Sequence, residues 1–172
     1  MLTTWKKLIS GQFEAALCML SRCIDHCPED SWNASVVNLK FCQVAFHVLF
    51  FTDFYLESTE DTIRDQDFHR AHTDAFRDYE ELEDRKQQLL YERAFLKDYV
   101  QHCRTKSGRV VASESEQSLT TRCGFSRRDC SRAELHVLNI RHIQHHTAQL
   151  SLKLKLDANK SVEWVGSGWQ NE

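Results

Sequence analysis

Helix-breaking residues are scarce in this chain of 172 residues, which contains one Pro and five Gly. The single Pro lies at position 28, so long stretches on both sides of it can remain helical. Sandwiches and barrels need frequent turn residues, and this scarcity therefore favours long helices over those folds. The length and a hydrophobic content of 41% suffice for one core but not comfortably for two. We therefore predict an all-α fold with residues 1–172 in a single domain.

The charge and the N-terminal segment restrict the classes of partner and the location. The net charge is −3, so no strong positive field attracts nucleic acid or anionic lipid. We therefore expect neither nucleic acid nor a membrane as a partner. No apolar signal core follows the segment from Met1 to Lys7, which leads us to expect a cytoplasmic protein.

The seven cysteines are odd in number and include no CxxC pair. In a cytoplasmic chain they are expected to be reduced thiols. Cys23 and Cys27 could be half of a zinc site, but no second half with matching spacing exists. We therefore interpret them as small residues at the end of a helix.

The spacing of apolar residues predicts the first two helices. From Leu2 to Ile24 they recur at intervals of three and four, which indicates an amphipathic helix that ends before Pro28. A second helix is predicted near 33–56. Its apolar run at 41–51 is far shorter than the ~20 residues of a membrane span. We therefore interpret this second helix as one that is buried on most sides.

An acidic tract separates these helices from the second half of the chain. Residues 57–91 carry many carboxylates without a clear period, which is typical of a crossover or a lid. Apolar residues resume over about 92–115 and predict a third helix there. An alternative interpretation places the third helix at 75–104, where three aromatic and aliphatic residues have helical spacing.

A capping box marks the start of the fourth helix. Ser131 can accept a hydrogen bond from an open backbone N–H, while Glu134 reaches back to the backbone of Ser131. The helix that follows is predicted over about 132–155. Four helices, with a long connection between the second and the third, predict an antiparallel four-helix bundle with one crossover.

One histidine lies inside the most apolar segment of the chain. Within residues 41–51, Gln43 and His47 carry the strongly polar side chains, four residues apart on one helical face. Burying an imidazole without a partner costs about 1–3 kcal/mol. We therefore expect His47 to bind something.

Two further histidines have a spacing that suits metal ligands on a helix. His142 and His146 are about 40° apart around the helix and one turn along it, so both rings can face one point. Three neutral imidazoles in a bundle can be satisfied by one cation, and His47 supplies the third. Position 143 is Ile, so the HExxH pattern of metalloproteases does not apply. These three histidines are the candidate metal ligands.

The segments around these histidines resemble the DinB-like (DinB/YfiT) family of metal-binding four-helix bundles. The similarity lies in FHVLFFTDFYL at 46–56 and NIRHIQHHTAQL at 139–150, and it extends more loosely as far as the tail at 164–165. It implies an up-down-down-up bundle with a three-histidine site for a divalent metal, Zn or Ni, and often a homodimer. The chain departs from the family pattern at Ala148, where Gly is usual.

Carried over position by position, the resemblance places the first ligand at His47 and the other two at His142 and His146. Family members with known activities mostly join a low-molecular-weight thiol to an electrophile, or use such a thiol in an isomerisation. The resemblance therefore implies a thiol-dependent S-transferase that acts on a small-molecule substrate. In this hypothesis the metal activates the thiol cosubstrate. No catalytic side chain of the protein itself is identified, and Cys42 is interpreted as a packing residue.

Two other functions remain open. In the first, the metal joins the second helix to the fourth in a non-catalytic module, and the acidic tract or an exposed face binds a partner. In the second, the protein is a metal-dependent hydrolase. An accessible cavity at the metal would separate both enzymes from the structural module, and a requirement for added thiol would separate the two reactions.

Several residues near the candidate ligands have two interpretations. Asn139 and Gln149 share the metal-facing side, where they either orient a ligand or form ordinary interhelical hydrogen bonds. His145 either contacts one of the metal ligands without binding the metal itself or is a hydrogen-bonded surface residue. His136 is either packed or solvated. The arginines just before and at the start of the fourth helix either attract an anionic substrate or belong to a solvated loop; they are Arg122, Arg127, Arg128 and Arg132.

Overall fold

A computed structural model describes residues 1–171, which form a mostly helical fold. The elements are α1 (Leu2–His26), α2 (Glu29–Trp32), β1 (Ser35–Val36), β2 (Leu39–Lys40), α3 (Phe41–Leu56), α4 (Asp67–Ala71), α5 (Thr73–Phe76), α6 (Arg93–Ser113), α7 (Glu116–Thr120) and α8 (Arg132–Ala158). Two 3-10 turns lie at Glu60–Asp65 and Glu80–Leu82. The prediction of an all-α fold is confirmed, with one two-stranded hairpin added.

Helix α3 is the most buried of the long helices. Of its 16 residues, all but His47 and Phe51 are buried, as expected for a helix enclosed on most sides. These two residues are one turn apart and share a face, so α3 is open to its surroundings mainly at the candidate ligand. Within residues 1–171, none of the helices combines the length and the apolar character that crossing a bilayer requires.

Side-chain contacts show which long helices pack together and in which direction. Helices α1 and α8 run in the same direction, as do α3 and α6, whereas α1 opposes α6 and α3 opposes α8. The contacts that define these directions are Phe13 with His136, Cys23 with Thr147, Leu49 with Cys103, Asp53 with Lys106, Glu14 with Arg104, Ile24 with Arg93, Thr52 with Asn139, and Leu56 with Arg132. Each long helix therefore packs against two others around a common hydrophobic core.

The second predicted helix begins later than its apolar pattern indicates. Residues 33–40 are predicted to be helical, but β1 and β2 pair there as an antiparallel hairpin with Val37 in a left-handed conformation (φ 56°). Helix α3 starts at Phe41, where the Gln43 side chain accepts a hydrogen bond from the backbone N–H of Lys40 (2.9 Å). The prediction of that boundary is wrong because the start is set by this local cap, which apolar spacing does not report.

The remaining helix boundaries agree more closely with the sequence. The third predicted helix, at 92–115, corresponds to α6, and the alternative at 75–104 is wrong because the chain between α5 and α6 holds only a short 3-10 turn. The capping box is present: Ser131 Oγ accepts from the Glu134 N–H (3.3 Å), and Glu134 Oε2 accepts from the Ser131 N–H (2.8 Å). Helix α8 then continues three residues beyond the predicted end at 155.

Residues 57–91 connect α3 to α6 as a series of short helical turns, here called the crossover. Ile63 and Phe76 of the crossover are buried in the core. The Phe76 ring lies 5.4 Å from the ring of Tyr99 on α6 and 5.7 Å from that of Phe46 on α3, measured between centroids. The crossover is therefore packed onto both α3 and α6 through the ring of Phe76.

Asp53 on α3 joins the crossover to the core through a buried polar network. Its fully buried carboxylate accepts hydrogen bonds from Lys106 Nζ, Tyr99 OH (2.9 Å), His69 Nε2 (2.8 Å) and Gln66 Nε2 (3.2 Å). Burial alone would raise the pKa of Asp53, but hydrogen bonds from His102 and His69 and the charge of Lys106 lower it far below its usual value. Because the pKa is lower in the folded state, the stability that the ionised carboxylate contributes is present above about pH 4 and is lost as the pH falls further.

The substitution Asp53→Ala is expected to reduce the free energy of unfolding by about 3–5 kcal/mol, because it leaves the buried Lys106 without one of its carboxylate partners. Denaturant midpoints at neutral pH would measure the loss. Asp98→Ala, at an exposed position of α6, is the control and should change stability by about 0.5 kcal/mol or less. Equal effects of the two substitutions would contradict a stabilising role for the network.

Candidate metal centre

His47, His142 and His146 come together between α3 and α8. One donor nitrogen from each ring lies within 4.8 Å of those of the other two. Between centroids, the ring of His47 is 5.2 Å from that of His142 and 4.8 Å from that of His146, and the latter two rings are 4.7 Å apart. The three histidines that the sequence indicates are thus neighbours, and their role as metal ligands remains a prediction.

The register between α3 and α8 places these rings opposite one another. Asn139, one turn before His142, donates from Nδ2 to the backbone carbonyl of Thr52 (2.9 Å). This contact is an ordinary interhelical hydrogen bond, which decides between the two interpretations of Asn139. It fixes α8 against α3 less than two turns from His47. Counting along each helix from this contact places the rings of His47 and His142 at a similar height between the two helices.

The ring nitrogens have an arrangement that suits a bound cation. Nε2 of His47 and Nε2 of His142 lie 3.3 Å apart. Two nitrogens that each bind one zinc ion at 2.0–2.1 Å with tetrahedral geometry are separated by about the same distance, roughly 3.3 Å. On the far side of its ring, Nδ1 of His47 donates to Glu81 Oε2 (2.6 Å), and Nδ1 of His146 donates to Gln149 Oε1 (2.9 Å). Such acceptors at Nδ1 leave Nε2 free as the ligand atom.

One nitrogen of the third ring has no partner. Nδ1 of His142 is buried and makes no hydrogen bond with any residue of the described chain. A buried polar atom without a partner costs about 1–3 kcal/mol. A cation held by Nε2 of His142 would leave this Nδ1 unpaired, so the fit to a divalent metal rests on the three-imidazole donor set and not on the unsatisfied atom.

The surroundings keep two of the candidate ligand rings, His142 and His146, neutral, which is the form that binds metal. Burial, together with repulsion from the neighbouring His47 and His146, lowers the pKa of His142 to about 3. Burial also lowers the pKa of His146, although the hydrogen bond with Gln149 opposes that shift. Both rings are therefore unprotonated at neutral pH and available as ligands.

Glu81 is a component of the site that the sequence does not reveal. It lies in the second 3-10 turn of the crossover, and its side chain is only 2% exposed. One carboxylate oxygen binds His47, while the other, Oε1, is buried and has no hydrogen-bond partner within residues 1–171. The only available signal was the density of carboxylates in residues 57–91, and nothing in that tract distinguishes one acid from another.

Of the other residues that the sequence analysis places near the site, only Gln149 forms a hydrogen bond with a candidate ligand. Gln149 holds Nδ1 of His146, and its amide also contacts Nε2 of the exposed His145 (3.2 Å), which makes His145 a surface residue. His136 is packed, since its buried ring bonds to Glu114 Oε1 (2.9 Å). Ala148 is exposed on α8, so the methyl group at this departure from the family pattern does not crowd the packing between helices.

Two of the four arginines just before and at the start of α8 contact α3 through hydrogen bonds. Arg132 donates to the backbone carbonyls at 55–57 and thereby caps the C-terminal end of α3. Arg128 donates to the hydroxyl of Tyr55 (2.6 Å). Arg122 pairs with the exposed Asp129, and Arg127 is exposed, as the solvated interpretation expects.

The cysteines in question are packing residues. Cys42 is buried, and its thiol contacts Asn33 Oδ1 (3.2 Å) rather than the histidines. Burial raises the pKa of Cys23 to about 12 and that of Cys27 to about 11. Both thiols are therefore protonated at neutral pH, which agrees with their interpretation as packed residues and not as zinc ligands.

A cavity of about 640 Å³ adjoins the histidine cluster. Its wall includes Glu81 and Phe51, which both contact His47: Glu81 Oε2 bonds to Nδ1, and the Phe51 ring lies 4.9 Å from that of His47 between centroids. The rest of the wall combines aromatic rings with charged groups from the crossover and from the loop before α8; it includes Phe54, Tyr55, Phe125, Arg64, Arg127 and Arg128. A small molecule in this cavity would therefore be separated from the candidate metal centre only by the side chains of Phe51 and Glu81.

Comparisons of the chain with protein-family models, with curated proteins and with solved structures gave no match. In the part of the chain that the structure describes, these three histidines form the one group of three or more potential ligands that converge closely enough to hold a metal ion.

His142→Ala is expected to remove most of the bound metal, because it deletes one of the three candidate ligands and leaves only two imidazoles. Elemental analysis of the purified protein would measure the ratio of metal to chain. His145→Ala, three residues along the same helix and exposed, is the matched control and should retain the wild-type content. Equal losses from both variants would show that the wrong face of α8 has been assigned to the metal.

Glu81→Ala is expected to weaken metal affinity by about 10–100-fold, because His47 loses the acceptor that fixes its tautomer and orientation. Competition with a chelator for zinc would give the Kd of each variant. Glu81→Gln should have a smaller effect, since its carbonyl oxygen still accepts from Nδ1. Glu83→Ala, which removes a half-exposed carboxylate two residues away, is the control. Wild-type affinity in Glu81→Ala would argue against the assigned role.

Proposed function

We propose that this chain is a divalent-metal-binding protein of the DinB-like class, in which His47, His142 and His146 hold one Zn or Ni ion. The observation that carries the proposal is the 3.3 Å approach of two Nε2 atoms from different helices, each on a ring without any other partner at that atom. The acceptors at Nδ1 of His47 and of His146 support it, because metal-binding imidazoles usually have such partners.

The proposal includes an up-down-down-up four-helix bundle. It is supported by the directions of the long helices: α3 opposes α8, α6 runs with α3, and α8 runs with α1. The long connection between α3 and α6 is the crossover that such a bundle requires. In this arrangement the metal lies between α3 and α8, with the crossover covering one side of it.

For the reaction, we propose a thiol-dependent S-transferase with a small-molecule substrate and a low-molecular-weight thiol as cosubstrate. A divalent metal, when bound, lowers the pKa of a thiol or water at its open position. Glu81 holds His47 in the tautomer that exposes Nε2. Phe51 and the other aromatic rings of the adjoining cavity shield a substrate from water, and Arg127 and Arg128 in the cavity wall offer positive charge to an anionic group.

A cytoplasmic homodimer without nucleic-acid or membrane partners completes the proposal. The net charge of −3 argues against binding to nucleic acid or to an anionic lipid surface. Leu152 and Leu156, one turn apart on α8, are 59% and 74% exposed, and a second copy of the chain would cover them. Sedimentation of the wild type and of Leu152→Glu would test the dimer.

The second candidate is a non-catalytic binding module in which the metal has a structural role and joins α3 to α8. It is favoured by one observation: Phe51 and Glu81 stand in the cavity wall, whereas the ligand rings do not. If the site has no room for a thiol, the metal chiefly joins α3 to α8. Both candidates predict metal binding, so the decision rests on whether a thiol reaches the metal.

Nickel-loaded protein distinguishes these functions. With the transferase, adding cysteine or glutathione produces a sulfur-to-nickel charge-transfer absorption band, and conversion of a haloaromatic electrophile requires both thiol and metal. His145→Ala should retain the band and the turnover, and His142→Ala should lose both. Bound nickel without any band would support the module, and turnover of an activated ester without thiol would support the hydrolase.

A further inference from the structure

Two cysteines in the loop before α8 lie in contact. The Sγ atoms of Cys123 and Cys130 are 3.7 Å apart and hydrogen-bonded to each other. The backbone N–H of Cys123 also donates to the carbonyl of Cys130 (2.9 Å). An antiparallel bridge joins Arg122 to Ser131, and continuing its register by one residue places Cys123 directly opposite Cys130.

This backbone arrangement meets the geometric requirement of a disulfide. Residues directly opposite each other in an antiparallel pair have Cα atoms about 4.5–5.5 Å apart. Disulfides span Cα separations of about 4.4–6.8 Å, with the sulfurs at about 2.0 Å. Rotation of the two side chains is therefore sufficient to close the remaining gap between the sulfurs of Cys123 and Cys130.

Access also distinguishes this pair from the other cysteines. Cys130 is half-buried, whereas the remaining six cysteines are buried. Cys103, for example, is completely enclosed in the core, and its thiol donates a hydrogen bond to the backbone carbonyl of Leu49 (3.5 Å). An oxidant can thus reach Cys130 first, and Cys123 is already in position to complete the bond.

We propose that Cys123 and Cys130 are a modification site at which a small disulfide oxidant forms a reversible intramolecular disulfide. The Cys130 thiolate attacks one sulfur of the oxidant, so a mixed disulfide forms and one small thiolate leaves. The Cys123 thiolate then attacks Cys130 Sγ and releases the second small thiolate. The two cysteines lose two electrons to the oxidant, and their two protons are taken up by the two departing thiolates.

The bond would brace one wall of the cavity next to the histidine cluster. The enclosed residues 124–129 include Phe125, whose ring packs 4.9 Å from that of Phe54 between centroids. They also include Gly124, where an added Cβ would lie 2.2 Å from the backbone oxygen of Ser58, so this loop approaches the crossover closely. The disulfide therefore ties together the two ends of a cavity-wall loop, whether or not the histidines bind a metal.

Trypsin mapping tests the proposal directly. The wild type would be incubated with oxidised glutathione at mildly alkaline pH, because burial and the hydrogen bond with Cys123 raise the pKa of Cys130 and the thiolate is the attacking species. After the free thiols are blocked under denaturing conditions, trypsin separates the peptides 123–127 and 129–132. We expect these two peptides to remain joined, with free thiols reduced from seven to five, and to separate on adding reductant.

Variants identify the partners and the effect on the loop. Cys123→Ser should stop at a mixed disulfide of glutathione with Cys130, whereas Cys103→Ser should form the linked peptides like the wild type. In the oxidised wild type, backbone amides at 124–129 should exchange with deuterium more slowly than in the reduced protein. A wild type that accumulates only glutathionylated Cys130, peptides linked through other cysteines, or unchanged amide exchange in the linked protein would overturn the proposal.

Discussion

The polar side chains of the buried helix α3 must find partners inside the protein, and this requirement organises the rest of the structure. Gln43 caps its own helix and donates to backbone carbonyls at 87 and 89. Asp53 takes donors from α6 and from the crossover. His47 has Glu81 on one nitrogen and the histidines of α8 beside the other. Each of these polar groups would cost about 1–3 kcal/mol if it were left without a partner. The elements that pack against α3 must therefore supply hydrogen-bond partners at these positions.

The parts of this arrangement that could be predicted are those fixed by local geometry. The relation between His142 and His146 is set by the helical repeat within one helix, so a spacing of four predicts their common face. The start of α8 follows from the side chains of Ser131 and Glu134, three residues apart. His47 stands out because its neighbours are apolar, and that contrast is also visible without coordinates.

The parts that could not be predicted depend on contacts across long sequence separations or on backbone detail. Glu81 is 34 residues from His47, and the crossover that carries it has no period from which its packing could be derived. The hairpin at 35–40 fails the prediction for another reason: its apolar residues continue the helical spacing, while Val37 adopts a left-handed conformation. The first case depends on long-range packing and the second on local backbone geometry, and apolar spacing reports neither.

The crossover links the two polar centres of α3. On one side Gln66 and His69 bind Asp53, and on the other Glu81 binds His47. A metal that needs the orientation imposed by Glu81 binds more tightly when the crossover is docked, and by linkage it stabilises the docked crossover by the same free energy. The roughly 10–100-fold in affinity that a partner such as Glu81 contributes corresponds to about 1.4–2.8 kcal/mol, which is comparable to the cost of one unsatisfied buried group. If the proposed metal binds, the long connection between α3 and α6 is part of its site through the contact of Glu81 with His47, and docking of the crossover is coupled to occupancy of the histidines.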